Sequence, residues 1–274
     1  MSDATQTQAA EQTQTTRKPL IAGNWKMNFD HLQAIAFVQK LAWTLKDAQH
    51  DYNDVEVAVF PPFTDLRSVQ TLVQADKLEL KYGGQDVSTH MSGAYTGEIS
   101  ANFLKQLDCD YVIVGHSERR YRHVESDETI AAKAKAAKDA GLVPLICVGE
   151  TAKDLERHEP SAVPANQLRG ALIDFKPGDD FVIAYEPVWA IGAGSAATAE
   201  QAQNVASVLR NVVRQALGEE TAAKTRILYG GSVKADNIVG FMKCPDVDGV
   251  LVGGASLDVE GFAAIVRYKK HATY

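Results

Sequence analysis

The chain has 274 residues, 45% hydrophobic and 23% charged, the make-up of an ordinary globular protein with room for one large domain or two average ones. A formal net charge of -7 argues against nucleic acid or an anionic membrane as the main partner, while leaving a locally built anion site open. No apolar run approaches the roughly 20 residues of a membrane span, and the three cysteines, Cys109, Cys147 and Cys244, lack metal-ligand spacing, which points to reduced thiols in a cytoplasm, with no metal and no disulfide framework.

Residues 1–17 are rich in Thr, Gln and Ala, without the apolar block of a secretory signal or the Arg enrichment of a transit peptide, and read as a disordered tail ahead of a single catalytic domain over 18–274. From there, short apolar and β-branched runs at 20–27, 55–60, 78–85, 111–116, 143–148, 181–186, 226–229 and 249–252 are predicted as eight strands. Helical patterns fall between them at 30–46, 98–107, 127–140 and 198–217; the last opens with a capping-box spacing from Thr198 to Gln201. Strands that alternate with helices pair in parallel through right-handed crossovers. Eight such units in this length fit a (β/α)8 barrel better than a doubly wound sheet with a second domain.

In such a barrel the chemistry sits where strands end and βα loops begin. Strand one ends in "GNWKMN", strand four in "VGHSERR", strand six in "AYEPVW", strand seven in "YGGSV" and strand eight in "VGGAS". The two-residue period puts Asn24 and Lys26 on one face with Trp25 and Met27 on the other; it groups Val112, Val114 and His116, and likewise Val182, Ala184 and Glu186. A Lys, a His and a Glu are thereby expected at one mouth. Behind Glu186 runs a loop from Pro187 to Gly194 without a single charge, unusual for backbone that meets water, so it reads as a cover. Glycines followed by exposed backbone N–H groups, Gly231-Ser232 and Gly253-Gly254, suit a phosphate. The third βα loop, from Gly83 to Ser100, is long enough to be functional or partner-bound.

Taken in order, "AGNWKMN", "YVIVGHSERR", "AYEPVWAIG", "YGGSV" and "LVGGAS" resemble the signature segments of the triosephosphate isomerase family, and the likeness runs from about Lys18 to the end. The resemblance implies interconversion of dihydroxyacetone phosphate and glyceraldehyde 3-phosphate through an enediolate, a step of glycolysis and gluconeogenesis, in the cytoplasm and without a cofactor. Such a reaction needs a base, a proton donor to oxygen and a positive charge near the developing oxyanion. The resemblance assigns these to Glu186, to a neutral His116 capping a short helix, and to Lys26 with the Asn24 amide beside it. It adds Glu118 as a hydrogen-bonding member around Lys26, and a substrate-binding set of Asn24, Lys26, Gly192, Ser232, Gly253 and Gly254. It also implies that Arg119 pairs with a third-loop carboxylate, Glu98, and that the enzyme is a homodimer in which Thr96 of one subunit approaches Asn24 and Lys26 of the other. The chain departs from the usual family pattern in the cover loop, with Ala193 in place of Thr and Ser195 in place of Lys or Arg, which removes a hydroxyl and a charge.

Residue by residue, plainer readings compete: a structural ion pair for Glu186 or Glu118, a snorkelling Lys26, ordinary turns for the Gly pairs. At the level of the chain the alternatives are an isomerase of another sugar phosphate and a binding protein that keeps the barrel without the chemistry.

Overall fold

A computed structural model describes residues 17–191 and 196–270. Eight strands, β1 (Leu20–Asn24), β2 (Glu56–Phe60), β3 (Lys81–Gly84), β4 (Tyr111–Val114), β5 (Val143–Val148), β6 (Val182–Tyr185), β7 (Arg226–Tyr229) and β8 (Gly249–Val252), pair in parallel and in chain order. Pairing of β1 with β8, Leu20 opposite Gly249, closes the sheet into a barrel. The intervening α-helices are α1 (His31–Asp47), α2 (Leu66–Asp76), α3 (Ala101–Gln106), α4 (Ser117–Arg122), α5 (Asp127–Asp139), α6 (Ala152–Leu155), α7 (Ala162–Ala171), α8 (Ala199–Leu217), α9 (Glu219–Lys224), α10 (Ile238–Met242) and α11 (Val259–Val266). The predicted single (β/α)8 barrel is the observed one.

Two apolar layers follow from strand alternation. One contains strand residues alone, among them Leu20, Ala22, Phe60, Ile113, Leu145, Val182 and Leu251, and fills the barrel. The other joins the opposite strand faces, Ile21, Val57, Val112 and Ile183, to helix residues such as Val38, Leu41 and Leu209. Each fully buried Leu or Ile here contributes about 1.5–3 kcal/mol relative to leaving it in water.

Helix starts are fixed by side chains that satisfy the first free N–H groups. Asp30 accepts from the backbone N–H of Leu32 and Gln33 at α1, and Thr198 with Gln201 forms the expected capping box at α8. Among the described residues no helix is long and apolar enough to cross a membrane.

Several boundaries differ from expectation. The predicted tail includes Arg17, yet the Arg17 guanidinium donates to Asp248 at 2.6 Å and to the Pro245 carbonyl at 2.9 Å; residues 1–16 lie outside the described set. Strand one stops at Asn24, short of the predicted Met27, and Met27 is 95% exposed while Trp25 is buried against Phe29 and Phe37. In β4, Val112 and Val114 face the helices and Tyr111 and Ile113 face inward, so His116 does not inherit its direction from them. Gly115, at φ +71°, breaks the two-residue period and turns His116 into the mouth.

Candidate active site

The carboxyl ends of β1, β4, β6, β7 and β8 surround a cavity of about 530 Å³. Asn24, Lys26, His116, Glu186, Ile191, Ser232, Lys234, Gly253 and Gly254 line it, so the expected residues from five strands share one space. Gly192, assigned to substrate binding, and the substituted positions Ala193 and Ser195 lie outside the described residues. A second hollow of about 590 Å³, floored by Ala131, Ala136 and Ile173, lies away from the strand ends; Asp127 and Asp139 on its rim are already paired with Arg120 and Lys135. Among the described residues no group of His, Cys, Asp and Glu is placed to hold a metal ion.

Lys26 adopts a left-handed backbone, φ 54°, which a side chain with a Cβ takes up only where its surroundings hold it. Two amides hold it: Asn24 Oδ1 accepts the Lys26 N–H at 2.9 Å, and Gln85 Nε2 donates to the Lys26 carbonyl at 2.7 Å and to that of Phe60 at 2.9 Å. The result presents Nζ to the cavity, where it donates to Glu118 Oε1 at 2.8 Å. Burial raises the Glu118 carboxyl, but the hydrogen bond and charge of Lys26 outweigh it and hold Glu118 below the ordinary range.

His116 caps α4, and its Nδ1 accepts the backbone N–H of Glu118 at 3.2 Å. An N–H aimed at Nδ1 puts the hydrogen of the neutral ring on Nε2. That nitrogen lies 3.1 Å from Glu186 Oε1. Glu186 is itself buried and held by Ser117, whose backbone N–H donates to Oε2 and whose hydroxyl donates to Oε1, both at 2.9 Å.

Behind the cavity, Glu150 Oε1 accepts from Tyr185 Oη at 2.7 Å and from Trp189 Nε1 at 2.8 Å. This ties the start of the cover loop, a 3-10 turn over Val188–Ala190, to the end of β5. Burial dominates here and pushes the Glu150 carboxyl up, against the two donors that lower it. Arg120 braces the same region from beneath, donating to the carbonyls of Gly115 at 2.8 Å and Cys147 at 3.0 Å. Cys147 sits in the inner apolar layer, as expected of a core residue.

The expected Arg119–Glu98 pair is not formed. Arg119 Nε instead meets Asp86 Oδ2 at 2.9 Å and Glu125 Oε1 at 2.6 Å, with Lys133 completing a four-membered ion cluster. Glu98 accepts from Ser88 within the third loop, so the loop's carboxylate facing α4 is Asp86, at its near end. Sequence reasoning also passed over Gln85, Glu150 and Ser117. Gln85 and Glu150 follow the ends of β3 and β5, the positions that selected the other site residues.

The sequence profile of the triosephosphate isomerase family matches residues 19–269. The chain is 69% identical over 255 residues to the triosephosphate isomerase of Leifsonia xyli subsp. xyli, covering 93% of this chain and 98% of that protein. It is 57% identical over 259 residues to that of Corynebacterium efficiens, with 93% and 98% covered, and 54% identical over 257 residues to that of Streptomyces coelicolor, with 93% and 99% covered. With a closed eight-stranded barrel and a profile match over nearly its whole described length, the chain belongs to the triosephosphate isomerase family.

Proposed function

We propose that the chain interconverts dihydroxyacetone phosphate and D-glyceraldehyde 3-phosphate by proton transfer through an enediolate, with Glu186 as base and a neutral His116 as electrophile. The observation that carries this reading is the arrangement of His116, with Nδ1 occupied as an acceptor and Nε2 directed at the Glu186 carboxylate beside Lys26.

Glu186 leaves Ser117 and takes a proton from the carbon next to the substrate carbonyl; the electron pair moves onto the carbonyl oxygen, which takes the His116 Nε2 proton while the neighbouring hydroxyl gives its proton back to Nε2, and the same carboxyl returns a proton to the former carbonyl carbon as the other carbon–oxygen bond becomes the carbonyl. His116 Nε2–H and Lys26 Nζ face the oxygens on which charge develops, where fixed donors in a partly closed site act most strongly. Asn24 holds Lys26 and offers its amide on the same side, and Glu118 orients the ammonium. The N–H groups after the β7 and β8 glycines, around Ser232, Gly253 and Gly254, take the phosphate. The Pro187 to Gly194 loop then covers the site from the Trp189–Glu150 anchor.

The third loop is the element we assign to a homodimer. It is stiffened from within, Ser88 N–H donating to the Ile99 carbonyl at 2.7 Å and Ser100 Oγ to that of Met91 at 2.7 Å, while residues 91–98 stand exposed, Tyr95 and Met91 among them. A prefolded projecting apolar tip suits insertion into a second copy, with Thr96 toward its Asn24 and Lys26. The assignment of the protein to the cytoplasm rests on its free thiols and on the reaction.

The test is turnover of glyceraldehyde 3-phosphate by the purified chain beside Glu186→Gln, with circular dichroism of both. Rapid conversion that falls by about 10²–10⁴-fold or more in the folded variant supports reaction and base together. A folded wild-type protein without turnover overturns the reading.

A further inference from the structure

The charges of the cavity do not suit a dianion as they stand. The Lys26 ammonium is taken by Glu118 Oε1 at 2.8 Å, and Glu186 adds a further negative charge, in a chain of formal net charge -7. Apart from Lys26, one lysine among the described residues lines the cavity, Lys234, two residues beyond Ser232.

Lys234 is exposed, and among the described residues no carboxylate forms an ion pair with its ammonium, Asp236 in the same turn included. Lys81, Lys138, Lys224 and Lys269 have such a partner; among the described residues Lys234, like Lys46, Lys77 and Lys243, has none. Its backbone, by contrast, is fixed. Asn237 Oδ1 accepts the Lys234 N–H at 2.9 Å, Asn237 Nδ2 donates to the Ser232 carbonyl at 3.2 Å, and the Lys234 carbonyl accepts from the N–H of Ile238 at 3.1 Å. One asparagine therefore shapes the turn that carries both Ser232 and Lys234, so a free cation is borne on a rigid stem at the rim of the anion pocket.

We propose that Lys234 is a specificity-determining cation of the phosphate pocket, which attracts the incoming phosphate dianion and holds it while the backbone N–H groups of the β7 and β8 loops engage it. The inference rests on the phosphate reading of these loops. Its ammonium is far from the reacting carbons in role: it acts on capture and retention, and Lys26 remains the cation of the chemical step. An exposed charge acting on a dianion through water is screened over about 8–10 Å at ordinary salt, so its contribution is tied to ionic strength.

The experiment compares wild type with Lys234→Met, Lys234→Arg and the distant control Lys46→Met, each checked for an unchanged melting temperature. Inorganic phosphate binding is measured by calorimetry, and KM, kcat and the salt dependence of kcat/KM with the triose phosphate. Lys234→Met is expected to weaken phosphate binding and raise KM by about three- to tenfold, to change kcat less than about twofold, and to flatten the salt dependence; Lys234→Arg restores all three. Phosphate affinity and salt slope in Lys234→Met equal to those of Lys46→Met overturn the proposal. Because phosphate binding needs no turnover, the calorimetric arm decides the role of Lys234 even if the wild-type protein proves unable to isomerise triose phosphates.

Discussion

Ser117 holds both oxygens of Glu186, its backbone N–H on Oε2 and its hydroxyl on Oε1, each at 2.9 Å. A carboxylate so gripped cannot reach a substrate carbon without letting go, so Ser117 defines where Glu186 waits. Removing the hydroxyl takes away one hydrogen bond to a charged group, about 1.5–3 kcal/mol, from the resting arrangement and nothing from the reacting one. Ser117→Ala should therefore lower the melting temperature while kcat stays within about tenfold of wild type. A loss of activity as deep as that of Glu186→Gln would mean that the serine takes part in the chemistry itself.

Two carboxylates near the site should move stability in opposite directions with pH. Glu118 is held below the ordinary Glu value by Lys26, despite burial, so it contributes stability that is present above that ordinary value and lost as pH falls through the lowered one. Glu150 is pushed above the ordinary value by burial; ionising it costs the folded state more, so stability falls as pH rises from the ordinary value through the raised one. Denaturant titrations from pH 3 to 8 check this. The gap between wild type and Glu118→Gln should close toward low pH, from at most about 1 kcal/mol for so exposed a pair, and Glu150→Gln should gain on wild type as pH rises. The same pH slope for both variants would contradict the assignment.

What could be read from the chain without its structure follows the range of the interactions. The barrel and its mouth are local information: strand and helix patterns, Gly pairs, and polar residues at strand ends. His116 reached the site for a reason the alternation missed, because a single left-handed residue at Gly115 resets the direction of every side chain after it. Resemblance pairs Arg119 with Glu98, but which of two carboxylates in one long loop meets a given arginine depends on how the loop folds back, and Ser88 draws Glu98 inward while Asp86 is left beside Lys133 and Arg119. Gln85 and Glu150 stand after strand ends like the other site residues, but the groups they hold are distant in sequence, and the side-chain bonds of Asn237 are hidden in a turn, so no short pattern marks their roles.

The thiols give a test that is independent of activity. Burial pushes Cys109 up to about 12, and it raises Cys147 and Cys244 as well. The thiolate is the reactive form, so the native protein at pH 8 should release no fast equivalent to an aromatic disulfide reagent. Cys244, half-buried at the end of α10, should react first and slowly, and all three should react in denaturant. Rapid labelling mapped by mass spectrometry to Cys109 or Cys147 would show that the barrel opens far more readily than its packing implies.

Gly230 is where backbone and base meet most closely. A Cβ built there would lie 3.0 Å from Glu186 Cγ and 3.1 Å from the Tyr185 carbonyl, while the Gly230 N–H donates to that same carbonyl at 2.7 Å and so fixes the strand in place. The carbonyl cannot retreat without breaking the β6–β7 pairing; the side chain of Glu186 can, by turning about its own bonds away from β7. Gly230→Ala should therefore displace the base rather than unfold the barrel, and displacement of a reacting group by about 1 Å can cost on the order of 10²-fold in rate. Gly240→Ala is the matched control, since its Cβ would meet only Ala199 at 3.9 Å, on a helix where alanine is the better residue. The expectation is a kcat/KM lowered at least about tenfold in Gly230→Ala with a melting temperature down by only a few degrees, and unchanged activity in Gly240→Ala. If Gly230→Ala kept full activity, Glu186 would tolerate a shifted resting place, and its spacing from β7 would not be what positions it for the substrate.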